Sequence, residues 1–270
     1  MSDGQADGRF KTVEFSRNGG VARIALNRPD RMNAWSAAVS AEIQAILGEI
    51  KDDAGVRVLL ITGNGRGFCA GADLKDSDGR TPDGGIDTDA TLRDGYNPIV
   101  IALRELEKPV VTAVNGPAAG AGVSLALAGD IVVAAESAYF LLAFTRIGLV
   151  PDGGSSLFVP ARIGFTRAAE LALLADRLPA AKAAEWGLIN FAWPDDEFAA
   201  KTDELVQKLA NGPTRAYAGV KRELNAYLYS QLGPQLELEA DIQRDLSKSA
   251  DFTEGVAAFN EKRPATFTGA

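Results

Sequence analysis

Apolar and polar residues first alternate along the chain and then recur every three or four positions, which predicts a hairpin followed by a helix and a strand. Residues 12–15 and 21–26 alternate around the turn Asn18-Gly19-Gly20, a pattern typical of a β-hairpin. Ser36 is a suitable N-cap for the helix that follows. The apolar residues of that helix stand at helical spacing: Val39, Ile43, Ile46, Leu47 and Ile50. The β-branched and apolar run VRVLLIT, residues 56–62, is typical of an interior parallel strand.

The later pattern mixes strands with helices as far as residue 195 and is helical beyond it. The predicted elements are a helix near 92–107, a strand at 110–114, a helix from 123, strands at 130–135 and 137–142, a helix from 155, two helices within 166–186 separated at Leu178-Pro179, and a strand at 188–193. Three amphipathic helices near 196–210, 213–229 and 233–248 follow, separated by Gly-Pro breaks. Such helices either fold back on the core or build a subunit interface.

Two segments are predicted to lack regular structure. Residues 1–9 are small and polar, and we expect them to be disordered. Residues 75–90 are acidic and rich in turn formers, which predicts a mobile surface loop. Its aspartates lack a regular metal-ligand spacing, so we expect them to be solvated, and we predict no metal site.

The stretch GNGRGFCAGADL, residues 63–74, follows the 56–62 strand and contains four glycines in its first nine residues. Glycine allows a ligand to approach bare backbone, so peptide N–H groups here can be turned toward an anionic oxygen. A strand-to-helix connection that needs flexible residues explains the same composition. On this stretch alone both interpretations stay open.

A second strand ends in the same way. Residues 110–114 run into the small-residue stretch NGPAAGAG, residues 115–122, and a buried helix begins after it. Two strands that each deliver a small-residue turn can bring two N–H groups to one negative oxygen. The repetition favours a site over a plain connection.

Composition narrows the class of protein. The 270 residues are 46% hydrophobic and 24% charged, which is ordinary for a globular protein. This length suits one large α/β domain, or one domain with a helical appendage. A net charge of −8 without a dense Lys/Arg run argues against a nucleic-acid surface. Cys69 is the single cysteine, so no intramolecular disulfide can form. The start lacks the apolar run of a signal peptide and no segment is typical of a membrane span, so we expect a cytoplasmic protein.

The chain contains no histidine. His-based triads, the common zinc sites and a His general base are therefore excluded, and a carboxylate is the best candidate for acid–base chemistry. Asp152, in the turn sequence Pro151-Asp152-Gly153-Gly154, is such a carboxylate. An aspartate at this kind of turn is most often a turn residue or helix N-cap. The structural role and the acid–base role of Asp152 therefore both stay open.

Six segments in order resemble the crotonase family of enoyl-CoA hydratases and isomerases: GRGFCAGADL, KPVVTAVNGPAAGAG, DIVVAAESAYF, IGLVPDGGSS, AAKAAEWGLIN and EGVAAFNEKRP. The resemblance implies an α/β crotonase spiral of ββα repeats over 1–195 and a C-terminal helical trimerisation region over 196–270. It also implies a trimer or a dimer of trimers. Acyl-CoA is the implied substrate, and no separate cofactor is implied.

The resemblance assigns roles to individual residues. It places an oxyanion hole for the thioester carbonyl at the backbone N–H groups of Ala72 and Ala121. It places the adenine end of CoA near four residues: Arg31, Ala70, Asp73 and Leu74. Phe259 and Lys262 match positions that reach CoA bound to a neighbouring subunit, although Lys262 can equally be a solvated lysine. Tyr96 is a candidate for the lining of the acyl pocket or for a packed core residue.

The sequence departs from the hydratase pattern at two positions. The glutamates with which hydratases of this family activate water correspond to Ser124 and Phe144, so hydration is in doubt. Asp152 remains, and its surroundings look most like the ring-epoxide isomerases of phenylacetyl-CoA breakdown. Members with this aspartate also include a dehalogenase, but that scheme needs a second catalytic group that a chain without histidine lacks.

The hypothesis is therefore an enoyl-CoA isomerase in which Asp152 moves a proton beside the oxyanion hole. Phe144 and its neighbours would raise the pKa of this carboxyl by burial. Three alternatives stay open. The first is a hydratase that uses Asp152, the second a non-catalytic acyl-CoA-binding member, and the third a structural helical protein without affinity for CoA.

Overall fold

A twisted six-stranded sheet lies at the centre of the computed structural model, which describes residues 8–75 and 86–270. Its strands, in spatial order, are β1 (Val13–Asn18), β2 (Val21–Leu26), β3 (Val58–Gly63), β4 (Val110–Val114), β6 (Ile131–Ala135) and β9 (Phe191–Trp193). A second sheet is made of β5 (Ala118–Ala119), β7 (Tyr139–Leu141) and β8 (Leu178–Pro179). The first two strands are antiparallel and the other pairs of the large sheet are parallel, as the hairpin and the apolar runs predict.

Helices connect the strands and follow the last of them. The α-helices are α1 (Ala37–Lys51), α2 (Thr88–Ala90), α3 (Asn97–Glu105), α4 (Ala121–Leu127), α5 (Ser155–Leu174), α6 (Ala180–Trp186), α7 (Asp195–Ala210), α8 (Thr214–Leu228), α9 (Leu232–Leu246) and α10 (Ala250–Glu261). A π-helix (Thr91–Tyr96) joins α2 to α3, and 3-10 helices occupy Pro29–Arg31 and Ala143–Ile147. Helix α1 begins where predicted, because the Ser36 hydroxyl accepts a hydrogen bond from the Val39 N–H.

The large sheet is buried on both faces, and alternate residues of each strand belong to different cores. On β3, Leu59 and Ile61 join the main core, while Val58 and Leu60 pack in a second cluster. Val206 of α7 belongs to that second cluster. Period-two alternation thus explains why a continuous apolar run is needed here.

The C-terminal helices fold back on the same chain. Helix α7 packs on β2, β3 and β6, and α9 packs against α2, α3, α5 and the π-helix. This brings a helix of the predicted oligomerisation region next to the loop that follows Leu149. The described helices α7 to α10 are packed on the core and are not separate from it. The division of the chain at residue 195 stays a prediction.

Some predicted bounds agree with the structure and others do not. The helix expected from residue 155 and the first helix expected within 166–186 correspond to the two parts of α5, which are separated by a kink at Gly164, where the backbone is not helical. Leu178-Pro179 forms the short strand β8 rather than only a break, and Gly233 lies in the first turn of α9. Helix α10 lies where the pattern predicts helix beyond residue 195, although no separate bounds are predicted for it. Residues 1–7 and 76–85, which hold most of the segments predicted to be disordered or mobile, lie outside the described residues.

Candidate active site

The two glycine-rich loops meet. Gly71 and Gly120 have φ of +94° and +50°, a region that side chains rarely adopt. A Cβ atom on Gly71 would lie 2.8 Å from the Ala119 carbonyl oxygen and 3.6 Å from the Ala121 nitrogen. The two backbones therefore approach each other where only glycine fits, and the residues after Gly71 and Gly120 are the predicted oxyanion-hole residues Ala72 and Ala121.

The N–H groups of Ala72 and Ala121 have no acceptor among the described residues. Trp35 N donates to Gly71 O at 2.7 Å and Asp73 N donates to Trp35 O at 3.0 Å. Ala72 lies between these two bonds, so its own N–H points away from the Trp35 segment. Ala121 is the first residue of α4, whose N–H has no intrahelical partner. Both groups are available to a ligand oxygen.

A cavity of about 260 Å³ opens beside these groups. Most of its wall is apolar, including residues of α10 and of the 3-10 helix that follows β7. Eight residues named from the sequence line it: Ala70, Ala72, Leu74, Tyr96, Ala121, Phe144, Asp152 and Phe259. Tyr96 is a packed core residue, whose hydroxyl donates to Trp35 O at 3.2 Å, and it also lines the cavity. Its role at an acyl group stays a prediction.

Asp152 is the one carboxylate among the described residues that line this cavity. Its side chain is 7% exposed, and Oδ2 accepts a hydrogen bond from Gln243 Nε2 at 2.8 Å. Oδ1 has no partner among the described residues. The Asp152 carbonyl oxygen accepts from the hydroxyls of Ser124 and Ser155 at 2.7 and 2.8 Å, so the backbone is held independently of the carboxyl.

Burial raises the pKa of Asp152 well above 3.8, the nearby carboxylate of Glu239 raises it further, and the hydrogen bond from Gln243 partly offsets both effects. Burial also raises the pKa of Glu239, against the hydrogen bonds that it accepts. A carboxyl with a raised pKa is a stronger base when ionised and a useful acid when protonated. The site therefore holds one group that can both remove and return a proton.

Ser124 and Phe144, the two positions that the sequence resemblance matches to the hydratases' glutamates, cannot act as carboxylates. The Ser124 hydroxyl is used to hold the Asp152 carbonyl. Phe144 is buried and lines the cavity. Among the described lining residues, no second carboxylate takes the place of the missing pair.

Three residues named from the sequence lie outside this cavity. Asp73 lines a neighbouring cavity of about 340 Å³ that shares Ala72, and its carboxylate pairs with Arg28 at 2.7 Å. Arg31 lies on the 3-10 helix Pro29–Arg31, exposed and outside both cavities. Lys262 is exposed at the end of α10. The CoA-binding roles of these residues stay predictions.

Phe259 lies at the cavity of its own chain, where it is 61% exposed. Its predicted role at CoA bound to a neighbouring subunit stays a prediction. Its exposure places it at the rim.

Gln243 and Glu239 were not foreseen from the sequence. They lie on α9, separated from Asp152 by about ninety residues of chain. Helical spacing puts residues four apart on one face, which was the one available signal. That signal does not say which part of the fold the face meets.

No group of three or more His, Cys, Asp or Glu residues in the described part of the chain is placed to hold a metal ion. Across residues 8–75 and 86–270, no helix has the length and apolar character needed to cross a membrane.

Comparison of the sequence and the structure with known proteins identifies relatives of this chain. The family model for enoyl-CoA hydratase/isomerase matches residues 16–270. The chain is 45% identical over 260 residues to a probable enoyl-CoA hydratase of Rhodobacter capsulatus, covering 96% of this chain and 99% of that protein. It is 44% identical over 254 residues to the 1,2-epoxyphenylacetyl-CoA isomerase of Escherichia coli, covering 93% of this chain and 95% of the isomerase. The crystal structure of an enoyl-CoA hydratase from Mycobacterium avium subsp. paratuberculosis superposes with a TM-score of 0.88 at 41% identity, covering 96% and 99% of the two chains.

Proposed function

Because the chain belongs to the enoyl-CoA hydratase/isomerase family, and so is an enzyme of that family, we propose that it isomerises an acyl-CoA by proton transfer through Asp152. The crotonase fold and family predicted from the sequence motifs are confirmed by these matches. The reaction is a double-bond shift or the opening of a strained ring epoxide. The observation that carries the proposal is that the described cavity lining offers one carboxylate, Asp152, and not two.

The first step places the thioester. Its carbonyl oxygen accepts hydrogen bonds from the N–H groups of Ala72 and Ala121, which have no acceptor among the described residues. Donors aimed at the position where negative charge develops stabilise an enolate, and removal of one such donor costs about 3–4 kcal/mol in comparable sites. Backbone donors held by close-packed glycine loops need little reorganisation.

The second step moves the proton. Ionised Asp152 accepts a proton from the α or γ carbon, the C–H electron pair enters the conjugated enolate, and the new O–H bond forms on Oδ1. The same carboxyl then returns the proton to another carbon, or to the oxygen of an opening ring, and becomes ionised again. Atoms and charge balance without a water molecule or a further reactant.

The electrostatics of Asp152 support this assignment. A carboxyl with an ordinary pKa is a weak base, whereas burial and Glu239 give Asp152 a raised pKa. The apolar wall that causes the shift also keeps water away from the enolate.

A second candidate, hydration of a 2-enoyl-CoA, is favoured by one observation. Asp152 Oδ1 and Gln243 Oε1 are both buried without a partner in the described part of the chain, and both residues line the cavity. A water molecule that donates a hydrogen bond to Asp152 Oδ1 would supply the nucleophile for hydration. The relative from Rhodobacter capsulatus is named a probable enoyl-CoA hydratase, which agrees with this alternative.

The test is deuterium incorporation from D2O into a panel of saturated, enoyl and aryl acyl-CoA thioesters. We expect wild-type protein to exchange an α or γ hydrogen and Asp152→Asn to exchange none while still binding CoA, measured by calorimetry. Unchanged exchange in Asp152→Asn would refute the role of the carboxyl. Binding without exchange in wild type would instead identify a non-catalytic acyl-CoA-binding member.

We also propose that the chain assembles into trimers or dimers of trimers through its helical surface. Helix α8 carries an exposed apolar stripe at helical spacing: Val220, Leu224, Tyr227 and Leu228. Leu224→Lys with Tyr227→Asp is expected to reduce the mass measured by light scattering, and Arg222→Ala on the same helix serves as the control. A wild-type monomer would contradict the proposal.

A further inference from the structure

Two side chains of helix α9 contact the turn that carries Asp152. We propose that Gln243 and Glu239 are positioning residues that hold this turn and leave Asp152 Oδ1 as the reacting oxygen. The proposal rests on the function assigned to Asp152 above. It gives a helix of the predicted oligomerisation region a role in the chemistry of its own chain.

Gln243 holds the side chain of Asp152. It is 1% exposed, and its Nε2 donates to Asp152 Oδ2 and to Val150 O, both at 2.8 Å. The two amide hydrogens are therefore both used, one on the carboxylate and one on the backbone two residues earlier. This arrangement occupies Oδ2 and leaves Oδ1 without a partner among the described residues.

Glu239 holds the backbone of the same turn. It is 3% exposed, and its carboxylate accepts from Gly154 N at 2.8 Å, from Ser156 N at 3.1 Å and from the Ser156 hydroxyl. These donors belong to the start of α5, immediately after Asp152. Every hydrogen bond of Glu239 is one that an ionised carboxylate accepts, so these bonds oppose the burial that raises its pKa.

The two residues act from one rigid element. Glu239 and Gln243 are four positions apart on α9, so they project from the same helical face. That helix packs against α5, which begins at the turn. A reacting group held by a helix keeps its geometry better than one held by a loop.

The two contacts act on Asp152 in opposite directions. The hydrogen bond from Gln243 lowers the pKa of Asp152, whereas the charge of Glu239 raises it. The other charged side chain that lines the cavity in the described part of the chain is Arg146 on the 3-10 helix, whose Nη2 donates to Ala175 O at 2.6 Å. Helix α4 contributes no charged residue, and α10 contributes Phe252 and Phe259.

Because the two contacts shift the pKa of Asp152 in opposite directions, replacing each residue gives a result that a merely structural role would not produce. The acid limb of the pH profile of exchange, expressed as kcat/KM, reports the protonation of Asp152 in the free enzyme. Gln243→Met removes the donor at nearly constant length, so we expect the limb to move to higher pH by about 1 unit. Glu239→Gln removes the charge, so we expect the limb to move to lower pH by a similar amount. In both variants kcat should fall while KM changes less than about twofold.

Asp245→Asn is the matched control, because it removes a carboxylate from an exposed position of the same helix. Its pH profile should coincide with that of wild type. Shifts of Gln243→Met and Glu239→Gln in one direction, or no shift in Glu239→Gln, would overturn the proposal. If Gln243→Met does not fold, the downward shift of Glu239→Gln decides the question.

Asp152→Asn, measured alongside, separates this proposal from the function on which it rests. Exchange that survives in Asp152→Asn refutes the assigned function. Loss of exchange in Asp152→Asn, together with unshifted profiles in both α9 variants, refutes the positioning roles alone.

Discussion

Gly71→Ala tests the contact between the two loops. The new methyl group would lie 2.8 Å from the carbonyl oxygen of Ala119, closer than real Cβ atoms approach an oxygen. The φ of +94° adds strain of about 1–3 kcal/mol for a residue other than glycine. Relief of the overlap must move the Ala72 and Ala121 segments apart. If one oxyanion donor is lost, the exchange rate falls by about 10²–10³-fold.

The assay for Gly71→Ala is the rate of deuterium incorporation, measured beside the urea midpoint. Gly19→Ala is the matched control, because Gly19 has a φ of +53° with nothing within 4 Å of its Cβ position. The control should lose stability through backbone strain and keep its exchange rate. A Gly71→Ala protein that exchanges within about threefold of wild type would refute the assignment of an oxyanion hole to these loops.

Three further changes have defined outcomes. The pKa of Asp152 is higher in the folded protein than in the unfolded chain, so ionisation of this carboxyl lowers the stability of the fold as the pH rises above about 4. We therefore expect Asp152→Asn to melt at a higher temperature than wild type at pH 7, but not near pH 3. Phe144→Ala should lower the free energy of unfolding by about 3–5 kcal/mol in urea titrations, because it empties a buried site. Arg28→Ala removes hydrogen bonds to Asp73 Oδ2 at 2.7 Å and Ala34 O at 2.6 Å, and should cost about 1.5–3 kcal/mol by the same measurement.

The local parts of this fold could be predicted from the sequence, because their causes are local. Ser36 and the residues after it predict α1 through an N-cap and a helical period, and the turn at Asn18 predicts the hairpin. The glycines before Ala72 and Ala121 could be predicted as a candidate site because two strands end in the same manner.

The support of Asp152 could not be predicted, because it depends on contacts across the chain. Nothing near Gln243 distinguishes it from other polar residues of an amphipathic helix, yet it meets a residue 91 positions away. The sequence position of Asp152 also left a turn role open, and the structure shows that the backbone takes part in a helix start while the carboxyl lines a cavity.

The most direct measurement of the central claim is the mass and double-bond position of the product that wild-type protein forms from enoyl-CoA and ring-epoxide acyl-CoA substrates. A product of unchanged mass with a moved double bond or an opened ring, absent with Asp152→Asn, is the result that proton transfer by a single carboxylate predicts. A product heavier by one water, formed by wild type, would contradict it and identify a hydratase.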